Sequence, residues 1–314
     1  MKTKLLSGAS PLAISPLVAI SSLSNAGGEG KTTIALAAEA ALDLLGRAPQ
    51  LVDIDQGMGS LAFQRADAKS LDWTWDEPKA PAVIERLRDR DVIFDFGANA
   101  LASSAPVVRL YGKVCDALAD VGFRRVALVP ISTNKPGAVG AAKDIIRAFS
   151  HMECHPVLVN RDGSGHYDGD VSDLPAIGMP YLDPVLQEFR TTLQDQNISL
   201  ADALRSPPPG WVNAVDYLGM WLREFATQPV MIDILGGDVG QVLDSLGRQT
   251  RPPLRLRGLA VKHLHDDAIQ DLGRLSTFTS DIQTNGVWRI LAKHGLTPVG
   301  LRAAAEELEQ RDSR

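Results

Sequence analysis

The chain has 314 residues, of which 45% are hydrophobic and 22% charged, and its formal net charge is −6. This length is enough for about two domains with buried cores, and the hydrophobic share excludes a wholly disordered or collagen-like chain. The acidic balance argues against a protein that coats nucleic acid with its whole surface, because such binding requires neutralisation of phosphates.

The amino terminus resembles an export signal only in part. Lys2 and Lys4 precede an apolar run, but Pro11 and Pro16 interrupt it. No other stretch approaches the roughly 20 apolar residues that span a bilayer. The two cysteines are too few for a disulfide framework in a chain of this length. We therefore expect a cytoplasmic protein without a membrane span.

A glycine-rich loop lies between a predicted strand and a predicted helix. Residues 17–22 (LVAISS) form an apolar run of strand length, and residues 34–45 place apolar side chains at helical spacing up to Gly46. Residues 25–33 between them read NAGGEGKTT. Strand, loop and helix in this order are typical of a phosphate-binding loop, although Asn25 replaces the first glycine of the pattern G-x-x-x-x-G-K-[ST].

This loop predicts specific contacts with a nucleotide. Glycines allow several backbone N–H groups to turn toward one anion, and the N-terminus of the helix adds its positive dipole end. Lys31 is expected to reach the β- and γ-phosphates, and the Thr32 hydroxyl is expected to ligate Mg²⁺. The predicted nucleotide-binding residues of the loop are Gly27, Gly28, Glu29, Gly30, Lys31, Thr32 and Thr33.

Two further predicted strands end in carboxylates. Residues 50–55 (QLVDID) end with Asp53 and Asp55, and residues 91–95 (DVIFD) end with Asp95. Carboxylates at these ends of an open α/β sheet point into the crevice where ligands bind. In a nucleotide site one carboxylate can hold the hydration shell of Mg²⁺ and another can orient the attacking water. Taken singly, Asp53 or Asp55 also fits a residue that caps the following turn.

Together these segments resemble the ParA/MinD family of deviant Walker A ATPases over about residues 15–228. The resemblance is carried by SLSNAGGEGKTTIALAAEAALDLLG, LVDIDQGMGS, DVIFDFGAN, RRVALVPIS and HPVLVNRD. It implies that Asp55 positions the hydrolytic water and that Lys31 is the second catalytic residue. It also implies that Asp53 and Asp95 support, mainly through water, the Mg²⁺ ligated by Thr32.

The resemblance extends to both ends of the expected nucleotide. Gly97 corresponds to the start of the switch that senses the γ-phosphate, and Asn160 corresponds to the asparagine that contacts adenine. The signature lysine of the family, however, falls at Ala26. A methyl group cannot supply that charge, and loss of such a cation can cost several orders of magnitude in rate. We expect either slow hydrolysis of ATP or another residue in place of the lysine.

The same loop also resembles that of bacterial BY-type tyrosine kinases. Residues 28–32 (GEGKT) match their pattern, and those kinases also lack the signature lysine. They continue with D-x-D-x-R after the second strand and carry a tyrosine-rich tail. Here Gln56 and Gly57 follow Asp55, and the last tyrosine is Tyr217. A kinase-like phosphotransferase therefore stays a minor alternative.

The segments beyond Asp95 continue to alternate between helix and strand. Helices are predicted over 101–121, 137–149, 182–190, 199–204 and 211–225, and strands over 125–131 and 156–160. This alternation implies right-handed crossovers and a mainly parallel sheet. The predicted fold class is a doubly wound α/β sheet of the P-loop NTPase type (SIMIBI class), spanning residues 1–228, with a small, mostly helical C-terminal extension over residues 229–314.

The extension contains a basic segment in an acidic protein. Its cations are Arg248, Arg251, Arg255, Arg257 and Lys262. Such a cluster is a candidate contact for DNA or an acidic partner, and the alternative is a solvated face balanced by the aspartates that follow. Residues 286–308 have a helix–turn–helix pattern. Their role stays open at this level.

These features predict an ATP-dependent molecular switch with weak ATPase activity. The switch would bind ATP and Mg²⁺, form a homodimer, and act in DNA segregation, plasmid partition, conjugative transfer or cargo positioning, in the cytoplasm or on the nucleoid. DNA or a DNA-bound adaptor protein is the expected partner. The alternative that Ala26 favours is a nucleotide-gated binding module with little hydrolysis.

Overall fold

A seven-stranded parallel sheet forms the centre of the molecule in the computed structural model, which describes residues 16–54, 60–70, 80–97, 105–182, 184–209 and 211–247. Its strands are β1 (Val18–Ser22), β2 (Gln50–Ile54), β3 (Lys69–Ser70), β4 (Val92–Phe96), β5 (Arg124–Ser132), β6 (Glu153–Val159) and β7 (Ile177–Met179). Their order in space is β3-β2-β4-β1-β5-β6-β7, and every pair is parallel. The predicted parallel sheet is thereby confirmed.

Helices cover both faces of this sheet. They are α1 (Lys31–Leu44), α2 (Ser60–Gln64), α3 (Ala80–Leu87), α4 (Ala105–Asp120), α5 (Ala138–Ala148), α6 (Pro184–Asp195), α7 (Leu200–Arg205), α8 (Val212–Ala226), α9 (Pro229–Leu235) and α10 (Val239–Ser245). One core joins the sheet to α1 and to α6 through α10, and a second core joins it to α3, α4 and α5. This two-sided cover is the doubly wound arrangement that the sequence predicts.

The central strands are mostly apolar because both faces are covered. All five residues of β1 are buried. Successive side chains of a strand point to opposite faces, so Val18 and Ile20 enter the first core while Ala19 enters the second. Burial on both sides fixes the position of β1, from which the glycine-rich loop departs.

Helix α1 packs closely on the sheet because its buried face is mostly alanine and leucine. The helix ends at Leu44, and Gly46 takes a left-handed φ of 79° directly after it. There Gly46 N–H donates to the Asp43 carbonyl at 2.9 Å and Arg47 N–H donates to the Leu42 carbonyl at 3.0 Å. These bonds satisfy carbonyls that a helix end leaves open, and the predicted helix stop at Gly46 agrees with the structure.

The strand order reverses at β1. From β1 the chain builds β2, β3 and β4 on one side of the sheet and then crosses to β5 on the other side. Ligands of open α/β sheets bind at such a reversal, outside the carboxyl ends of the strands. The loop after β1 lies at this position.

The described chain continues past residue 228 without leaving the first core. Met231, Ile234 and Leu235 of α9 and Val239 and Leu243 of α10 are buried in the core that contains α1. The helices on either side of residue 228 therefore share one core up to residue 247. The basic segment from Arg248 to Lys262 and the helix–turn–helix pattern of residues 286–308 lie outside the described residues. Within the described ranges, no helix has both the length and the apolar character to cross a membrane.

Candidate functional site

The loop between β1 and α1 is closed by its own side chains. Ala26 N–H donates to the Ser24 hydroxyl oxygen at 3.1 Å, and that hydroxyl donates to the carboxylate of Glu29. Lys31 is buried, and its Nζ donates to the Ala26 carbonyl at 2.8 Å. The predicted loop residues thus form one hydrogen-bonded unit around the lysine ammonium.

Two glycines of the loop have backbone conformations that other residues rarely adopt. Gly28 has a φ of 69° and Gly30 a φ of 89°. A Cβ atom on Gly30 would lie 2.9 Å from Cγ1 of Val159, the last residue of β6. Gly30 is therefore required both for its positive φ and for its close approach to β6.

The candidate magnesium ligands lie in direct contact. Thr32 Oγ1 donates to Asp95 Oδ2 at 2.7 Å. The sheet brings them together, since Asp95 of β4 pairs in register with Ser22 of β1 and Thr32 is the second residue of α1. Mg²⁺ takes oxygen ligands in an octahedral shell and retains several waters. The Thr32 hydroxyl could ligate Mg²⁺ directly, and the neighbouring Asp95 carboxylate could hold a water molecule of the ion's hydration shell.

Asp53 lies beside Asp95 but has a different contact. The two residues are paired in the register of β2 and β4, and both side chains are buried. Asp53 Oδ2 accepts a hydrogen bond from Ala62 N–H of α2 at 2.7 Å, and Asp53 is not among the residues that line the cleft described below. In this conformation Asp53 holds the start of α2. Asp55, the predicted water-positioning residue, lies outside the described residues.

A cleft of about 590 Å³ opens at the carboxyl ends of the strands. One end is formed by residues 27–33 of the loop together with Asp95, Phe96 and Gly97, and the other by residues that follow β6 and β7. The second end has apolar walls at Met179, Pro180 and Leu182, and Asn160 faces the same cleft. Asn160 Oδ1 accepts a hydrogen bond from Gly165 N–H at 3.2 Å. Phosphate-binding groups in one part of the lining and apolar side chains with an amide in the other fit the two halves of a nucleotide.

Three cations that the sequence analysis did not single out also lie at this site. Lys135 Nζ donates to the Gly27 carbonyl at 2.5 Å, Arg161 Nη1 donates to the Gly28 carbonyl, and Arg190 Nη1 donates to Thr33 Oγ1 at 3.1 Å. They come from the segments that follow β5, β6 and β7. Lys135 and Arg161 follow predicted strands, a position that marks the ligand-binding edge of an open sheet, whereas no sequence pattern singled out Arg190.

The chain has the α/β fold of a P-loop NTPase. The strand order, the loop at the reversal point and the contact of Thr32 with Asp95 establish this fold. No protein-family model and no curated protein matches the chain.

Several solved structures are similar to the chain at low identity. The septum site-determining protein MinD complexed with Mg-ADP from Pyrococcus horikoshii OT3 is 20% identical, over 66% of this chain and 95% of that one, with a TM-score of 0.42. MinD in the MinC:MinD cell division complex of Aquifex aeolicus is 14% identical, over 75% of this chain and 97% of that one, with a TM-score of 0.41. Chloroplast FtsY from Physcomitrella patens is 14% identical, over 52% and 55%, with a TM-score of 0.33. Likenesses of this strength assign no function to individual residues.

The P-loop carries an acid among its cations. Burial raises the pKa of Glu29 above its ordinary value of 4.5, and the nearby charges of Lys135 and Lys31 oppose that shift. Lys135 Nζ lies 3.8 Å from Glu29 Oε1. The Glu29 carboxylate is therefore the counter-charge of Lys135 and holds that cation at the edge of the loop.

Proposed function

We propose that this chain is an ATP- and Mg²⁺-dependent molecular switch of the ParA/MinD type. The observation that carries the proposal is the contact of Thr32 with Asp95 at 2.7 Å. This contact lies beside a P-loop whose Lys31 ammonium is held by the Ala26 carbonyl. A hydroxyl and a carboxylate so placed suit a Mg²⁺ ion that is bound together with a nucleotide. Bound Mg²⁺ would neutralise charge on the β- and γ-phosphates.

In the proposed cycle the chain's own residues hold and sense the nucleotide. Lys31 and the loop N–H groups bind the phosphates, Asn160 contacts the base, and Asp55 orients the hydrolytic water. Two ATP-bound copies dimerise and change their affinity for DNA or an adaptor protein. A switch of this kind works only if its two states bind the partner with different affinity.

A nucleotide-gated module with little hydrolysis is the second candidate. Ala26 stands where the family has its signature lysine, and Lys135 is held by the Gly27 carbonyl and by Glu29. Ala26 carries no charge, and the Lys135 ammonium is engaged by groups of the loop in this conformation. A single-turnover measurement of ATP hydrolysis separates this module from an active ATPase.

Nucleotide binding by Lys31→Ala tests the proposal. A charged hydrogen bond contributes about 1.5–3 kcal/mol, so the affinity for ATP and ADP with Mg²⁺ should fall by about tenfold to a hundredfold or more. Lys113→Ala, at an exposed position on α4, is the matched control. Light scattering with ATP, with ADP and without nucleotide reports assembly. The proposal is wrong if the wild type binds no nucleotide or if assembly is the same in all three states.

Binding to DNA requires its own test, because the basic segment lies outside the described residues. A variant with Arg251, Arg255 and Arg257 changed to Ala should bind DNA more weakly, and the slope of log affinity against log salt should decrease by about 0.9 per lost phosphate contact. Arg147→Ala, at an exposed arginine on α5, is the control. Equal DNA binding by both variants would exclude the basic segment as the DNA contact, whereas a wild type that binds no DNA would favour an adaptor protein as the partner.

A further inference from the structure

Arg190 of α6 is a partly buried cation that lines the nucleotide cleft. Its Nη1 donates to the Thr33 hydroxyl at 3.1 Å, and among the described residues no carboxylate lies within 4 Å of its guanidinium. The other two cations differ, since Lys135 lies beside Glu29 and Arg161, which donates to a loop carbonyl, is exposed to solvent. Among the described residues, Arg190 is thus a charge of the site without an anionic partner.

The surroundings of Arg190 make that charge costly unless an anion pairs with it. Arg190 also lines a small cavity of about 10 Å³, whose other lining residues are apolar except for Thr33. Burial lowers the pKa of the Arg190 guanidinium below its ordinary value, although arginine stays protonated at neutral pH. A buried charge is ordinarily paired because its desolvation is expensive. An anionic ligand in the cleft would supply the missing partner.

The position of Arg190 indicates which part of a nucleotide this anion is. Thr33, which contacts Arg190, lies one residue further into α1 than the candidate magnesium ligand Thr32, which contacts Asp95. Arg190 also shares the cleft with Leu182 and Met179 at the base end. The backbone of a P-loop cradles the α- and β-phosphates while its lysine reaches the β- and γ-phosphates. The charge nearest the base is the α-phosphate.

We infer that Arg190 binds the α-phosphate of the nucleotide and thereby ties α6 to the N-terminus of α1. This inference rests on the proposed function, because it needs a nucleotide in the cleft. It adds a binding residue from outside the P-loop. It also gives the nucleotide a direct contact with α6, whose Leu186, Phe189 and Leu193 pack in the core.

The test is nucleotide affinity in Arg190→Gln. Loss of a charged hydrogen bond predicts that affinities for ATP, ADP and AMP all fall by the same factor, about tenfold to a hundredfold. Arg205→Gln, at an arginine of α7 that pairs with Asp43 outside the cleft, is the control. Without nucleotide the melting temperature of Arg190→Gln should equal or exceed that of the wild type, since an uncompensated charge is removed.

Other results would overturn the inference in distinguishable ways. Unchanged affinity in Arg190→Gln would exclude the contact while leaving the proposed function intact. A loss confined to ATP would place Arg190 at the γ-phosphate, and a loss for ADP but not AMP would place it at the β-phosphate. If the variant melts at a clearly lower temperature, Arg190→Lys decides: the inference fails unless this variant, which keeps the charge, recovers part of the affinity for all three nucleotides. A wild type that binds no nucleotide would instead refute the proposed function.

Discussion

At Gly30 a single missing methyl group allows the P-loop to close against the end of β6. The residue combines a φ of 89° with a position where a Cβ would come within 2.9 Å of Val159. Gly46 has a similar φ of 79°, but a Cβ there would meet nothing within 4 Å. The two glycines therefore separate the cost of backbone conformation from the cost of a steric clash.

We predict that Gly46→Ala lowers the free energy of unfolding by about 1–2 kcal/mol, the cost of a left-handed non-glycine residue. Gly30→Ala should lower it by about 1–3 kcal/mol more, because packing must also be displaced. Urea denaturation measures both values. Val159→Ala, which removes the clashing methyl group, should reduce the extra cost in a double-mutant cycle. An equal effect of the two glycine variants would contradict the clash.

At the level of elements, a buried ion pair joins α1 to the segment that follows α2. Arg65 Nη1 lies 2.5 Å from Glu39 Oε1, and the Glu39 side chain is almost fully buried. Burial raises the pKa of Glu39 from 4.5 to about 7, although the charge of Arg65 opposes the shift. The segment of Arg65 follows α2, whose Ala62 N–H donates to the Asp53 carboxylate.

This raised pKa gives a pH dependence of stability with a definite sign. The folded state keeps a proton on Glu39 that the unfolded chain releases above pH 4.5, so the stabilisation is complete at low pH and is lost as the pH rises through about 7. Glu39→Gln should therefore gain stability relative to the wild type over this interval, on the order of 3 kcal/mol.

Thermal melting of both proteins from pH 4 to pH 8 would measure this gain. Glu188→Gln, at an exposed position on α6, is the control, because it removes a carboxylate that is not buried. If Glu39→Gln and Glu188→Gln change in parallel with pH, burial of Glu39 is not the cause of the dependence.

For the molecule as a whole, α9 and α10 decide how far the folded unit extends. Arg47 Nη1 donates to the Leu235 carbonyl at 2.8 Å, and Arg47 also forms a two-bonded pair with the buried Asp91. The end of α9 is thus fixed to the amino end of β4, opposite the carboxyl ends of the strands where the nucleotide cleft lies. The division predicted at residue 228 cuts between helices that share the core of α1.

We predict that a chain ended at residue 228 loses cooperative thermal unfolding, whereas a chain ended at residue 247 retains it. The shorter chain lacks five side chains that are buried in the core, namely Met231, Ile234, Leu235, Val239 and Leu243. At about 1.5–3 kcal/mol for each, their loss is comparable to the whole stability of a typical domain, about 5–15 kcal/mol. Calorimetry and nucleotide binding of both chains check this. Equal cooperativity of unfolding and equal nucleotide affinity in the two chains would support the predicted domain boundary at residue 228.

The sequence alone was sufficient for the parallel sheet, and it also named residues of the candidate site whose roles in nucleotide binding stay predictions. Lys31 and Thr32 follow one another in a motif, and Asp95 ends an apolar strand, so local pattern predicts them. The short elements α2, β3, α3 and β7 were missed, because a helix of one or two turns or a strand of two or three residues leaves little periodicity.

What the tertiary structure alone decided is which distant side chains meet the P-loop. Lys135, Arg161 and Arg190 lie more than a hundred residues beyond it, and only the parallel order β1-β5-β6-β7 brings the segments after those strands to one edge. The sequence determined the P-loop and the alternation of strands and helices, because both depend on neighbours in the chain. Tertiary packing determined that α9 and α10 complete the core and that Arg190 faces the nucleotide cleft, because both depend on which buried surfaces come together in the folded chain.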